Sequence, residues 1–444
     1  MTKATIIFNA RLLDETMDTP GAVLIIDSKI RAVFQGYFTS PNTASAMANQ
    51  VLTEDGCGTD TRLELYDARG LTVTPAFIDM HVHLRYPGQT EKEDLKTGLH
   101  AAAAGGFGTV VAMPNTNPVV STFDLAIKIE QESLAVGLTH LFQTVSITKD
   151  FDGETVSHLE LLDNKYIPVI SEDGREVLSS KVMLDAMKIA ASKGLIVSCH
   201  CEDPYLATGA KMFRKEGTVE SLTKANALLA LAEDSCTIRN LMLAKEAGCR
   251  IHICHVSTAN SIDAVRAAKD DFYDAVHVTC EVTPHHLALT GTEEPNIYSI
   301  VNPPLRSEED RLYLIEALRD GTVDVISTDH APHTAEDKAA GSPGFTGLET
   351  AFGVCNTVLV KQNQFNPRRL TQLMSANPAK ILGLQKGLLK SGYDADITLI
   401  DPDEEWTVDS RLFCSKGKAT PFEGKTLYGK VHALFIDGRK VFDR

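Results

Sequence analysis

The sequence predicts an α/β fold, a (β/α)8 TIM-type barrel with a small β-sandwich domain built from both termini. Three observations carry this. Roughly 300 central residues alternate short β-branched apolar runs with helix-like stretches, and parallel strands need such crossover connections. Both ends of the chain read as all-β. No GxGxxG or phosphate-binding loop follows the first central strand, which argues against an open doubly wound nucleotide-binding sheet.

In chain order, residues 1–73 carry short apolar runs such as Ala22–Ile26, broken by Gly, Pro and Asn. Within them Ser40–Thr61 is polar and rich in small residues, which predicts a loop or short insertion. The barrel is placed at 74–384. Its eight strand candidates are Phe77–Met80, Thr109–Met113, Leu141–Ile147, Ile167–Ile170, Leu195–Cys199, Arg250–Cys254, Ala275–Cys280 and Val323–Ser327. Helical stretches between them include Leu95–Ala104, Ser180–Lys193, Cys236–Ala247, Ser261–Lys269 and Glu308–Leu318. Residues 385–444 return to β character with Ala395–Ile400 and Val431–Ile436, completing the terminal domain.

Composition narrows the function. A chain of 444 residues with 43% hydrophobic content suits one large globular domain with an accessory unit. No apolar stretch approaches the roughly 18 residues of a membrane span, and the N-terminus lacks a signal-peptide layout. Nine cysteines without CxxC spacing predict free thiols in a reducing compartment, so the cytoplasm is expected. A net charge of −16 disfavours nucleic acid as a partner, and an anionic substrate would need a local cationic pocket.

In such a barrel the active site lies at the C-terminal ends of the strands. Strand one ends in His81 and His83, which alternation points to the same side. Strand four ends in Glu172-Asp173, strand five in His200, strand six in His255 and strand eight in Asp329-His330-Ala331-Pro332-His333. Imidazole and carboxylate donors match Zn²⁺. Four histidines and two carboxylates exceed what one tetrahedral ion needs. Two ions about 3.5–4 Å apart would use them all, and such a centre lowers the pKa of bound water, so hydrolysis or its reverse is the reaction class. Cys199, Cys201 and Cys254 alternate with these histidines and read as packing thiols. His252, His285 and His286 read as core or supporting residues, and His330 as either strand packing or an orienter of Asp329. Arg85 shares the facing of His83 and supplies a guanidinium fork for a carboxylate. Asn115 closes strand two at the same rim.

At Asp79-Met-His-Val-His-Leu-Arg85, Met113-Pro-Asn-Thr116, Asn302-Pro-Pro-Leu-Arg306 and Ser327-Thr-Asp-His-Ala-Pro-His333 the chain resembles the dihydroorotases of the amidohydrolase superfamily, over nearly its whole length. The resemblance implies reversible cyclisation of N-carbamoyl-L-aspartate to L-dihydroorotate in pyrimidine synthesis. It assigns one Zn²⁺ to His81, His83 and Asp329 and a second to His200 and His255. Asp173 is then the bridge, in place of the carbamylated lysine of many relatives; Lys165 and Lys181 read as surface residues. Asp329 acts as catalytic base and then acid. Arg85, Asn115, Asn302 and His333 bind substrate, and the Thr334–Gly347 segment forms a mobile loop whose backbone, at Gly347, contacts the ring. Tyr86, where relatives carry glutamate, and a short loop before Gly347 depart from the pattern. A homodimer and an association with aspartate transcarbamoylase follow from the same resemblance. The alternatives are an allantoinase- or dihydropyrimidinase-like specificity, or a non-catalytic partner of the transcarbamoylase, which loss of metal-binding histidines would signal.

Overall fold

The computed structural model describes residues 3–56, 61–216, 218–271, 276–291 and 300–444. Both chain ends enter one eight-stranded sheet. From one edge it runs Arg439–Asp443, Thr426–Ile436, Ile397–Thr407, Thr72–Pro75, Lys3–Leu13, Asp18–Ile26 and Lys29–Gln35, with Arg62–Asp67 also paired to Lys3–Leu13. Alternation along Lys3–Leu13 divides its side chains between two cores. Ile7 and Leu12 meet Leu399 and Phe435 on one side, whereas Ala4, Ile6 and Phe8 meet a helix on the other.

That helix, Pro41–Glu54, corrects the loop expected at Ser40–Thr61. Ser40 precedes a proline in the first helical turn, where a missing N–H costs nothing. Ala44, Ala48 and Leu52 recur every four residues and bury one stripe. Small side chains gave that stripe too little hydrophobic contrast to stand out.

The central strands are all parallel and fall into two hydrogen-bonded sets. One comprises Phe77–Val82, Phe107–Ala112 and His140–Gln143; the other comprises Val145–Ser146, Val169–Ser171, Ile196–Cys199, Arg250–Ile253, Val278–Val282 and Val325–Ile326. The single run expected at Leu141–Ile147 is interrupted at Thr144, whose N–H and hydroxyl both donate to the Ala112 carbonyl. At the other margin Val82 bridges His330 in parallel, and the His83 N–H donates to the His330 carbonyl at 2.8 Å. Ala275, the expected start of the seventh strand, lies outside the described residues; the strand begins at Val278.

Helices return the chain between strands. The stretch expected at Cys236–Ala247 is the last part of Val219–Ala247, which Thr218 caps and a left-handed Gly248 ends. Leu99, Val110, Ile170, Val197, Ile251 and Leu314 belong to one core between strands and helices. Full burial of each such side chain contributes about 1.5–3 kcal/mol. Among the described residues no helix is long and apolar enough to cross a membrane.

Candidate metal centre

The four expected histidines and two carboxylates come together at the C-terminal ends of the parallel strands, with Asp173 in the middle. Its Oδ1 lies 3.2 Å from His81 Nε2, 3.5 Å from His200 Nδ1 and 3.9 Å from His255 Nε2, while Oδ2 lies 3.4 Å from His83 Nε2. Asp329 Oδ1 sits 3.0 Å from His83 Nε2 and 3.7 Å from His81 Nε2. His200 Nδ1 and His255 Nε2 face each other at 2.9 Å. Asp173, Asp329, His83, His200 and His255 border one cavity of about 270 Å³; His81 is wholly buried and meets them through Asp173 and Asp329.

The electrostatics of this cluster are reciprocal. Burial alone would raise the Asp173 carboxyl, but the neighbouring imidazoles, His81 first, hold it well below the usual carboxylate range. Burial likewise opposes protonation of His81 and His200, and Asp173 outweighs it, lifting His81 well above its ordinary value and His200 to about 9. At Asp329, burial raises the carboxyl and His83 brings it down to about 2. Each group thus favours the charged form of its neighbours. The donor set suits a cation: His81 Nε2 and Asp173 Oδ1 are buried without a hydrogen-bond partner. The triads His81–His83–Asp329 and His81–Asp173–His255 each offer three ligand atoms within 4.8 Å of one another.

Local backbone shape aims these groups. Arg85, His255 and Asp329 all hold positive φ, at 56°, 33° and 48°. Non-glycine residues adopt such values at a cost of order 1–3 kcal/mol, which surrounding structure must hold in place.

Beneath the cluster lies a buried support layer in which His252 and His330 were expected as supporting or packing residues and Glu281 was not singled out. Glu281 accepts from His81 Nδ1 at 2.9 Å and from His252 Nε2 at 3.0 Å, which leaves His81 Nε2 facing Asp173. Both partners pull its carboxyl below the usual range against the opposing effect of burial. Asp79 accepts from the backbone N–H of His81 and Thr328, tying the strand of His81 to the one that leads to Asp329; burial pushes it up to about 7. His330 packs, its Nδ1 accepting from the Gly347 N–H at 3.2 Å while Nε2 lies 3.6 Å from Glu93. Cys199 and Cys201 are buried in the main core as expected. Cys254 turns inward instead, its Sγ beside His81 and 2.9 Å from Ser198 Oγ, and desolvation raises its thiol to about 11.

Arg85, Asn115, Asn302 and His333 line the same cavity. Arg85 Nε donates to the Pro332 carbonyl at 3.1 Å, and its Nη2 lies 3.3 Å from His333 Nε2. Asn115 braces the cluster, its Oδ1 2.9 Å from His83 Nδ1 and its Nδ2 donating to Asp173. Asn302 Nδ2 donates to Glu202 at 3.0 Å. Gly347 is the exception: it sits behind the site against Thr328 and His330, and Gly344 lines the cavity in its place. The Thr334–Gly347 segment is not plain loop either, since it contains the helix Ala335–Ala339. Tyr86 turns away from the cluster to donate to Glu132, and Lys165 and Lys181 are exposed.

A family model described as the amidohydrolase family matches residues 72–441. The chain is 40% identical over 435 residues to the dihydroorotase of Clostridium botulinum (strain Eklund 17B / Type B), covering 98% of each. It is 41% identical over 389 residues to that of Lactobacillus johnsonii, covering 86% of this chain and 90% of the relative. Among solved structures, the L-hydantoinase of Arthrobacter aurescens superposes with a TM-score of 0.84 at 25% identity, over 99% of this chain and 96% of its own. The dihydropyrimidinase of Brevibacillus agri NCHU1002 reaches 0.79 at 22% identity, over 100% and 95%.

Proposed function

Because the chain belongs to the amidohydrolase family, within its dihydroorotase branch, we propose that it interconverts N-carbamoyl-L-aspartate and L-dihydroorotate in pyrimidine biosynthesis. The observation that carries this reading is the placement of Arg85 on the wall of the cavity that the histidine–carboxylate cluster borders. A guanidinium has five N–H donors; here Nε donates to Pro332 and Nη2 approaches His333 Nε2, and the remaining N–H groups serve a substrate carboxylate.

The proposed ligands of one Zn²⁺ are His81, His83 and Asp329, those of the other His200 and His255, with Asp173 between them. When bound, such ions polarise a carbonyl and lower the pKa of an attacking water. The protein's own contribution is to orient and to move a proton. Arg85 anchors the carboxylate, Asn302 and His333 flank the ring, Asn115 holds His83 and Asp173 in register, and Gly344 supplies backbone wall. In ring opening the Asp329 carboxylate takes the proton of the attacking water and delivers it to the ring nitrogen as the C–N bond breaks; ring closure reverses both transfers.

We propose that the two parallel sets form one closed (β/α)8 barrel, expected at 74–384 and starting at Phe77 because Thr72–Pro75 pairs in the terminal sheet, supported by the Val82–His330 bridge and the short step between Gln143 and Val145. Residues 1–73 and 385–444 form the β-sandwich unit, supported by the shared core of Ile7, Val23, Leu399 and Phe435. A homodimer is the assembly proposed, which sedimentation of the purified chain tests.

Likeness of shape to hydantoinases does not select the substrate, because a fold hosts many specificities; the higher identity to dihydroorotases favours the dihydroorotate reading. Purified protein assayed against dihydroorotate, hydantoin and allantoin, with metal content by mass spectrometry, tests it. Turnover of dihydroorotate with two zinc ions per chain is expected, and activity confined to hydantoin or allantoin overturns the reading.

A further inference from the structure

Part of the cavity wall is not strand end at all but the run Ser342, Pro343, Gly344. Its fastening lies beneath it, in the side chain of Lys338 on the helix Ala335–Ala339, which is only 1% exposed. The ammonium donates to the carbonyls of Ser342 and Gly344, each at 2.8 Å, and of Ile300 at 3.3 Å. An ammonium has three donors and no acceptor, so this set satisfies it completely. Burying such a charge is costly unless it is bonded in this way. Burial pushes the amine down to about 8, which leaves it mostly protonated at neutral pH.

The three acceptors join two chain segments that both reach the cavity. Ile300 lies two residues before Asn302, and its carbonyl also accepts from the Gly344 N–H at 2.9 Å. Turning the Ser342 and Gly344 carbonyls toward Lys338 also removes two partially negative oxygens from the surface that an anionic substrate meets.

We propose that Lys338 is a positioning residue that fixes this loop wall and thereby sets affinity for the anionic substrate, leaving the chemical step to the metal cluster. The proposal rests on the reading that the cavity takes a carboxylated cyclic amide.

The test is Lys338→Met in the full-length, zinc-loaded protein, with kcat and KM for dihydroorotate measured alongside hydrogen exchange of the Gly344 amide. Loss of ground-state and transition-state binding together raises KM at constant kcat, so KM should rise about tenfold with kcat within about twofold. Gly344 exchange should accelerate while zinc content stays level. If Lys338→Met fails to fold, Thr334→Val, which removes the side-chain cap that accepts from the Asp337 N–H in Ala335–Ala339, should move KM and exchange in the same direction by less. An unchanged KM, or a fall in kcat at constant KM, overturns the proposal. A wild-type chain inactive on dihydroorotate indicts the substrate reading instead; exchange then decides the clamp alone, faster Gly344 exchange upholding it and unchanged exchange overturning it.

Discussion

Replacing Glu281 asks whether the metal cluster is held from below. The carboxylate is solvent-excluded and accepts from two imidazoles, His81 at 2.9 Å and His252 at 3.0 Å. Glutamine keeps one oxygen and adds an NH2 donor. His252 can accommodate that donor by switching tautomer, because its Nδ1 lies 2.8 Å from the Thr279 hydroxyl, which has the Ile251 carbonyl at 3.3 Å as an alternative acceptor. In Glu281→Gln, His81 therefore keeps an acceptor but loses its charge. In Glu281→Met it keeps neither, and its proton is free to settle on Nε2, the nitrogen that faces Asp173. Hydrogen bonds to charged groups contribute about 1.5–3 kcal/mol, with tenfold in affinity per 1.4 kcal/mol. Zinc affinity should fall about tenfold in Glu281→Gln and about a hundredfold in Glu281→Met, in the range typical of residues that orient metal ligands. Chelator competition measures this directly, and activity should return in excess zinc for the glutamine variant. Unchanged zinc affinity in both variants would refute the idea that Glu281 orients His81.

Three further outcomes are expected. Arg85→Lys exchanges a planar fork for a point charge, so KM for dihydroorotate should rise about 10- to 100-fold with a smaller effect on kcat, and an unchanged KM would remove Arg85 from the substrate site. Asp329→Asn should lower kcat by about 10²- to 10⁴-fold, and near-normal turnover with metal present would exclude its proton-transfer role. Glu349 accepts from the N–H groups of Cys414 and Ser415, yet burial dominates and raises its carboxyl to about 7 from 4.5. A carboxyl raised in the folded state stabilises fully below its unfolded value and loses that contribution as pH climbs through about 7. The Tm of wild type should accordingly fall from pH 4.5 to 7 relative to Glu349→Gln, whereas parallel Tm curves would contradict the assignment.

The metal-competent residues were legible because they stand at strand ends, where alternation and barrel geometry both constrain facing. His81 and His83 share a side, and the distances to Asp329 follow from that. Glu281 was equally accessible in principle, since it and Thr279 share a face of Val278–Val282; placing that strand at Ala275–Cys280 left the glutamate beyond its end. Gly344 and Lys338 were out of reach for a different reason. Which glycine of a loop reaches a cavity is decided by tertiary bonds to Ile300, and no local periodicity encodes those. Ala44, Ala48 and Leu52 illustrate a third case, a helical stripe too small in volume to outweigh the polar residues around it.

Thr72–Pro75 lies immediately upstream of the His81 strand and pairs with Ile397–Thr407, and Ala76 donates to the Asp396 carbonyl. During synthesis the segment that leads into His81 therefore keeps a vacant edge until Ile397–Thr407, more than 300 residues later, has been made. Contacts so distant in sequence close slowly and leave partly folded chains exposed meanwhile. A truncation that removes Ile397–Thr407 should therefore unpair the segment that feeds His81 while leaving every residue of the histidine–carboxylate cluster in the chain.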